Sequence, residues 1–159
     1  LDALEEIKNT KFIFTSSNSD VGGNIINEKI IKFVKKNRNA QYFKNLGHLN
    51  YLSLMKWSTV VIGNSSSGII EAPSLRVPTI NIGERQFGRE KSSSILNCKN
   101  EKNAILKKCK LVLQKIYDFS NIKSPYERKN TSKNILKTLK KIDYNNLEIK
   151  SFNDLKFLK

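Results

Sequence analysis

Residues Thr59–Arg89 read TVVIGNSSSGIIEAPSLRVPTINIGERQFGR, and the fold turns on them. Thr59-Val60-Val61-Ile62 is apolar and β-branched along its length, the composition of a strand buried on both faces rather than one that alternates between core and water. Thr79-Ile80-Asn81-Ile82, after Val77-Pro78, is a second strand of the same kind. Between them Ser66–Leu75 has room only for a short helix, and Pro73 marks a kink or an early end because it lacks an N–H and crowds the preceding turn.

Working outward, the same alternation continues. Upstream lie a helical tail at Leu1–Asn9, a short apolar strand at Phe12–Thr15 and a Ser/Asn/Asp/Gly loop. A helix over Asn24–Lys36 follows, with Ile26, Ile30, Phe33 and Val34 recurring near period 3.6. Gln41–Lys44 reads as a short strand and Leu49–Trp57 as a helix. Downstream, Asn103–Tyr117 places Ile105, Cys109, Val112 and Ile116 on one stripe, and Tyr126–Ile142 does the same with Ile135, Leu139 and Ile142. Helices alternating with continuous apolar strands indicate an α/β fold, a Rossmann-like parallel sheet covered on both faces. Phe12–Thr15, Val60–Ile62 and Thr79–Ile82 are expected as neighbouring parallel strands whose carboxyl ends share one crevice. Trp57 and the phenylalanines are expected in the core, and Cys98 and Cys109 as inert, buried or half-buried thiols.

Composition narrows the function classes. The chain has 159 residues, 38% apolar and 27% charged, which excludes disorder along its whole length. No apolar run approaches the roughly 18 residues of a membrane helix, so no membrane association is expected. Two cysteines eleven apart, without histidine or cysteine neighbours at ligand spacing, support neither a disulfide framework nor a metal site, and a reducing cytoplasm is the expected compartment. The chain opens on Leu1 with a helical repeat and no start signal, as expected of a piece of something longer.

The net charge of +15 raises nucleic acid as a partner. The excess is uneven: residues 1–85 carry 11 basic and 7 acidic groups, residues 86–159 carry 18 and 7. Twenty-four of the 29 basic residues are lysines, and the aromatic or arginine clusters that would read bases are missing. A solvated lysine surface explains this charge better than a nucleic-acid face does.

The chemistry concentrates at two strand ends. In an open parallel sheet ligands bind beyond the carboxyl ends of strands, where Gly63-Asn64-Ser65-Ser66-Ser67-Gly68 leads into a helix. Small residues, serine hydroxyls and a helix N-terminus suit a phosphate or diphosphate; a plain Ser-rich helix cap is the alternative. Glu71 lies about 8 Å further along at roughly 1.5 Å per residue, placed for ribose hydroxyls or, equally, for solvent in the first turns of the helix. Gly83–Arg89 is a second polar loop at a strand end. Arg85 and Arg89 there are suited to phosphate oxygens or to ion pairs with Glu84 or Glu90. Asn18-Ser19-Asp20 ends the first strand at an equivalent level, as pocket wall or as an Asx turn. His48, the only histidine, reads as a loop residue, and no Ser/His/Asp arrangement is visible around it.

Gly63–Glu90, GNSSSGIIEAPSLRVPTINIGERQFGRE, closely resembles the C-terminal-domain motif of the UDP-N-acetylglucosamine 2-epimerases, especially the hydrolysing branch of sialic-acid-type biosynthesis. More loosely the resemblance runs from about Leu1 to about Leu113, with FIFTSSNSDVGGNIIN matching the family's strand, Asn-x-Asp turn and helix. It implies the C-terminal half of a glycosyltransferase-B-type fold, with substrate held between two Rossmann-like domains. Residues 1–159 would then form one UDP-binding domain, ending in a helical tail over 120–159.

By matching position, the resemblance implies that Ser65 and Ser66, within the loop that also holds Asn64 and Gly68, contact the diphosphate. Glu71 would clamp the ribose and Arg85 would face the phosphates and sugar. Asn18 and Asp20 would line the pocket, and the backbone at Leu46 would meet the uracil, although Leu46-Gly47-His48 departs from the family's usual Pro-containing stretch. The implied chemistry is loss of UDP with the C2 proton, then addition of water to give N-acetylmannosamine or a related 2-epimerised amino sugar. It requires neither metal nor cofactor. The family's catalytic positions lie upstream of Leu1, so the implied partners are a UDP-sugar, an N-terminal domain and, where the enzyme is a homo-oligomer, a further copy of the subunit. A glycosyltransferase donor domain of the same architecture and a basic polyanion-binding module are the competing assignments.

Overall fold

The structure, a computed structural model, describes residues 1–18, 22–116 and 118–146. It divides into two compact units, Leu1–Glu127 and Arg128 onward. The first unit contains α1 (Asp2–Glu5), β1 (Phe12–Thr15), α2 (Gly23–Lys36), β2 (Ala40–Phe43), α3 (Gly47–Trp57), β3 (Val61–Gly63), α4 (Ser67–Ser74), β4 (Thr79–Ile82), β5 (Ile95–Cys98) and α5 (Lys102–Leu113). The second contains α6 (Thr131–Leu139) and a 3-10 turn at Tyr144–Asn146.

All strand pairing is parallel. β4 sits between β3 and β5, with Ile80 opposite Ile62 on one side and Leu96 on the other. β1 pairs with β2 from Phe12↔Ala40 to Thr15↔Phe43. The expectation that β1 lies directly beside the β3–β4 pair is corrected here: no ladder joins the two sheets among the described residues. β1 instead satisfies its backbone against β2, across the helix that connects them.

The three-stranded sheet is covered on both faces, which is why its central strand does not alternate between core and water and Thr79, Ile80 and Asn81 are all buried. On one face Ile80 and Leu96 pack with Ala3 of α1 and with Ile105, Leu106, Cys109 and Val112 of α5. On the other, Met55 of α3 meets Ala72 of α4 and Val77, with Tyr51, Val61 and Leu75 at the margin. The polar members of β4 are also buried, and Asn81 donates to its cross-strand neighbour Asn97 through Nδ2 at 2.8 Å to Oδ1. That bond keeps a buried amide from being stranded.

Within the first unit, β1 and β2 form a second, two-stranded parallel sheet joined by α2. Phe33 of α2 lies edge-on to Phe12 and Phe14 of β1, at centroid separations of 6.4 and 5.5 Å. Only Ile30 and Phe33 of the predicted α2 stripe are fully buried, together with Gly23; Ile26 is 51% exposed. The predicted core aromatics divide likewise. Phe33 is buried and Phe119 packs on the main core, whereas Trp57, at the last turn of α3, is 87% exposed and Phe87 86%. Those two expectations are overturned because a helix end and a loop tip project beyond the packed layers; Phe43, at the end of β2, is exposed as well, and Phe152 and Phe157 lie outside the described residues.

α4 ends as Pro73 predicts. Arg76 takes a left-handed φ of 64°, and the N–H groups of Arg76 and Val77 close back on the carbonyls of Pro73 and Ala72. Cys109 is fully buried and Cys98 half-buried, both as free thiols. Burial, with Cys98 adding to it, pushes the Cys109 thiol up to about 11, so it stays protonated at neutral pH. In the second unit α6 has no buried residue, and Ile135, Leu136 and Leu139 are all more than 40% exposed. No helix among the described residues is long and apolar enough to cross a membrane.

Candidate functional site

Parallel pairing sends the carboxyl ends of β3 and β4 to the same edge, so the two loops singled out in the sequence emerge side by side. Gly83, with φ of 73°, turns the chain sharply off β4 in a conformation that side chains other than glycine resist. The following loop then folds back onto the β3–α4 loop. Gln86 Nε2 donates to the Asn64 carbonyl at 2.8 Å, and Arg85 Nη1 approaches the same oxygen at 3.4 Å. Asn64 and Ser65 are exposed, and Ser66 is partly buried.

The serine-rich loop opens α4 without a side-chain cap. Ser66 is the N-cap residue, yet its hydroxyl bonds to no helical N–H, and Ser65 Oγ accepts only a long bond, 3.3 Å, from the Ser67 N–H. The backbone N–H groups of Ser65 and Ser66 have no protein acceptor among the described residues. Polar donors therefore gather at the positive end of a helix, where an anion is favoured.

Gly68 sets how close this helix comes to the sheet. A Cβ there would lie 2.8 Å from Thr79 Cγ2, and Thr79 Oγ1 donates to the Gly68 carbonyl at 2.8 Å in a buried bond. Gly68→Ala is expected to cost about 1–2 kcal/mol in a urea titration. Overpacking a tight contact costs about 1–3 kcal/mol, and alanine's better helix propensity offsets part of it.

One turn further along α4 stands Glu71. Its residue is partly buried, and its Oε2 is sealed from solvent without a hydrogen-bond partner among the described residues. An ionised carboxylate only accepts, so an arrangement that leaves one oxygen buried and unmatched calls for O–H or N–H donors.

At the carboxyl ends of β1 and β2 the structure forms a cavity of about 430 Å³, lined by Thr15, Ser16, Lys44, Asn45, Leu46, Gly47, His48 and Tyr51. This cavity is open to solvent; of its lining residues Leu46 is partly buried and His48 is exposed. Tyr51 connects this cavity to the serine loop, its hydroxyl 2.9 Å from Ser67 Oγ. Asn18 is exposed at the end of β1, and the turn before it is tied to α2 by Ser17, whose N–H donates to Asn27 Oδ1 and whose hydroxyl donates to the Gly23 carbonyl. Asp20 lies outside the described residues. Arg89 is exposed. Among the described residues no group of three or more His, Cys, Asp or Glu is placed to hold a metal ion.

Two residues to which the sequence assigns no role of their own, Tyr51 and Gln86 of the Arg85-Gln86-x-Gly88-Arg89 loop, connect the parts of this surface. Tyr51 sits in an ordinary helical apolar pattern. Gln86 stands in a loop whose arginines draw attention by their charge, and a neutral amide there carries no periodic signal.

The sequence profile of the UDP-N-acetylglucosamine 2-epimerases matches residues 1–140. The chain belongs to this family. It is 38% identical over 159 residues to the polysialic acid biosynthesis protein P7 of Escherichia coli, covering 98% of this chain and 40% of that protein. It is 47% identical over 98 residues to the hydrolysing GDP/UDP-N,N'-diacetylbacillosamine 2-epimerase of Campylobacter jejuni, covering 61% of this chain and 26% of that one. The chain thus spans less than half the length of these curated relatives.

Among solved structures, the UDP-GlcNAc 2-epimerase of Neisseria meningitidis bound to UDP-GlcNAc matches with a TM-score of 0.59 at 19% identity, over 86% of this chain and 45% of that one. The Methanocaldococcus jannaschii UDP-GlcNAc 2-epimerase in complex with UDP-GlcNAc and UDP matches with a TM-score of 0.56 at 17% identity, over 88% and 50%. At these identities the likeness establishes the fold, the glycosyltransferase-B-like α/β architecture of the family.

Proposed function

We propose that this chain is the UDP-binding, C-terminal half of a hydrolysing UDP-N-acetylhexosamine 2-epimerase, a cytoplasmic enzyme whose proton-transfer groups are supplied by an N-terminal domain. Family membership and the C. jejuni and E. coli relatives support the sugar-nucleotide class. The observation that carries the nucleotide assignment is the buried Oε2 of Glu71, which has no hydrogen-bond partner among the described residues and lies just beyond a helix start.

In this assignment the diphosphate lies on Ser65 and Ser66 at the N-terminus of α4, within the loop built by Asn64 and Gly68, with Arg85 on the phosphate-to-sugar side. Glu71 accepts from the ribose hydroxyls. The uracil enters the cavity against the backbone at Leu46, and Asn18 and Asp20 wall the pocket. These contacts position and stabilise the leaving UDP; removal of the C2 proton and addition of water require acid–base groups within hydrogen-bond reach of the sugar, on the opposite side of the cleft.

Calorimetric titration of the chain with UDP, ADP and pyrophosphate tests this directly. UDP is expected to bind most tightly. Glu71→Gln is expected to weaken UDP about tenfold while leaving pyrophosphate within about twofold, because only the nucleotide brings hydroxyl donors to the carboxylate, and one charge-assisted bond is worth about 1.5–3 kcal/mol. Equal losses for both ligands would remove the ribose role from Glu71.

A further inference from the structure

We infer that Gln86 is a positioning residue for the diphosphate loop: through the Asn64 carbonyl it sets the direction in which the Ser65 N–H points. This rests on the proposed binding of the diphosphate at Ser65 and Ser66.

Gln86 is 3% exposed although Arg85 and Phe87 on either side of it are exposed. A loop that folds one neutral amide inward between solvated neighbours holds that side chain by a specific contact. The contact is the 2.8 Å bond from Nε2 to the Asn64 carbonyl, across 22 residues of sequence. Arg85 reaches the same oxygen at 3.4 Å, at the long limit of a hydrogen bond.

The consequence follows from peptide geometry. The Asn64–Ser65 peptide is planar and trans, so its C=O and N–H point in opposite directions. A carbonyl held toward Gln86 turns the Ser65 N–H away from the second loop. That N–H has no protein acceptor among the described residues, and it stands two residues before the first residue of α4, where the helix's positive end favours an anion. Gln86 thereby fixes a donor for the diphosphate without touching the ligand itself.

The other end of the amide argues against a purely structural role. Gln86 Oε1 is buried with no hydrogen-bond partner among the described residues, and an unmatched buried oxygen costs stability. An apolar side chain of similar size would avoid that cost, so stability alone does not account for a glutamine here.

The test is calorimetric binding of UDP, pyrophosphate and uridine to the wild-type chain, Gln86→Leu and Gln86→Glu, with thermal melting of each. Gln86→Leu is expected to melt within a few degrees of wild type and to bind UDP and pyrophosphate about tenfold more weakly, with uridine unchanged. Gln86→Glu is expected to show the same loss at pH 8, where a carboxylate opposes the Asn64 carbonyl. Near pH 5 the introduced carboxyl group, once protonated, donates in place of the amide, so the loss relative to wild type at that pH should shrink to about threefold or less.

Wild-type affinity for UDP in Gln86→Leu would overturn the role of Gln86 alone. So would equal losses of uridine and UDP. Should Gln86→Leu fail to fold, the ratio of Gln86→Glu to wild type across pH decides, and a ratio flat with pH counts against the proposal. A wild-type chain that binds uridine but neither UDP nor pyrophosphate more tightly would overturn the diphosphate assignment itself, and this inference with it.

Discussion

Ile80→Ala is expected to lower the unfolding free energy by about 2–5 kcal/mol, read as a shift of the denaturant midpoint at unchanged slope. Ile80 is 0% exposed at the centre of β4, packed with Leu96, Leu106 and Cys109 under α5. Truncation removes the transfer free energy of three carbons and leaves a hole between a paired strand and a helix, neither of which is free to collapse into it. Ile135→Ala in α6, where the side chain is 55% exposed, should stay within about 0.5 kcal/mol and serves as the surface control. A loss under about 1 kcal/mol at Ile80 would mean that this sheet face is not packed as described.

Replacing Ser65 and Ser66 together by alanine is expected to weaken UDP binding by about 1–3 kcal/mol, from lost hydrogen bonds to a charged group. The fold should survive, because neither hydroxyl caps α4 and Ser65 Oγ makes only the 3.3 Å contact with the Ser67 N–H. Calorimetry and a melting curve on the same sample separate the two effects. Unchanged affinity would leave the loop as a helix start with no ligand role.

Legibility in the sequence follows burial. Thr79–Ile82 is readable to the residue because both faces of β4 are covered, so every position in it is apolar, β-branched or a paired amide. Its neighbour Ile95–Cys98 is not readable as a strand. Three serines precede its two apolar residues and Asn97 follows, so local pattern resembles a loop, and only pairing with β4 and cover from α5 make it a strand. The α5 stripe is buried at Ile105, Cys109 and Val112 but not at Ile116, which is 64% exposed beyond the helix end. Trp57 departs from expectation for a related reason: hydrophobicity marks a side chain as suited to burial, and position at the end of α3 decides whether anything reaches it.

The candidate site shows the same division. The serine loop, Glu71 and the arginine-bearing loop stand out because anion and hydroxyl chemistry restricts residue type, and parallel pairing of β3 with β4 then brings the two loops to one edge. Gln86 and Tyr51 do not stand out, since what each does depends on a single distance. The Asn64 carbonyl and Ser67 Oγ are reached across 22 and 16 residues, separations over which spacing carries no information.

The fit of Gly68 against Thr79 bears on the entropy of recognition. A helix that presents a bare glycine to the Thr79 side chain of the strand, and is held there by that buried hydroxyl, has already lost the freedom that a mobile loop would surrender when it grips a ligand. Ordering of this wall is thus completed during folding, and the free energy of its contacts remains available to hold the ligand. Gly68→Ala would then act twice, loosening the seat of α4 and returning to the association step an ordering cost that the wild-type chain meets before any ligand arrives.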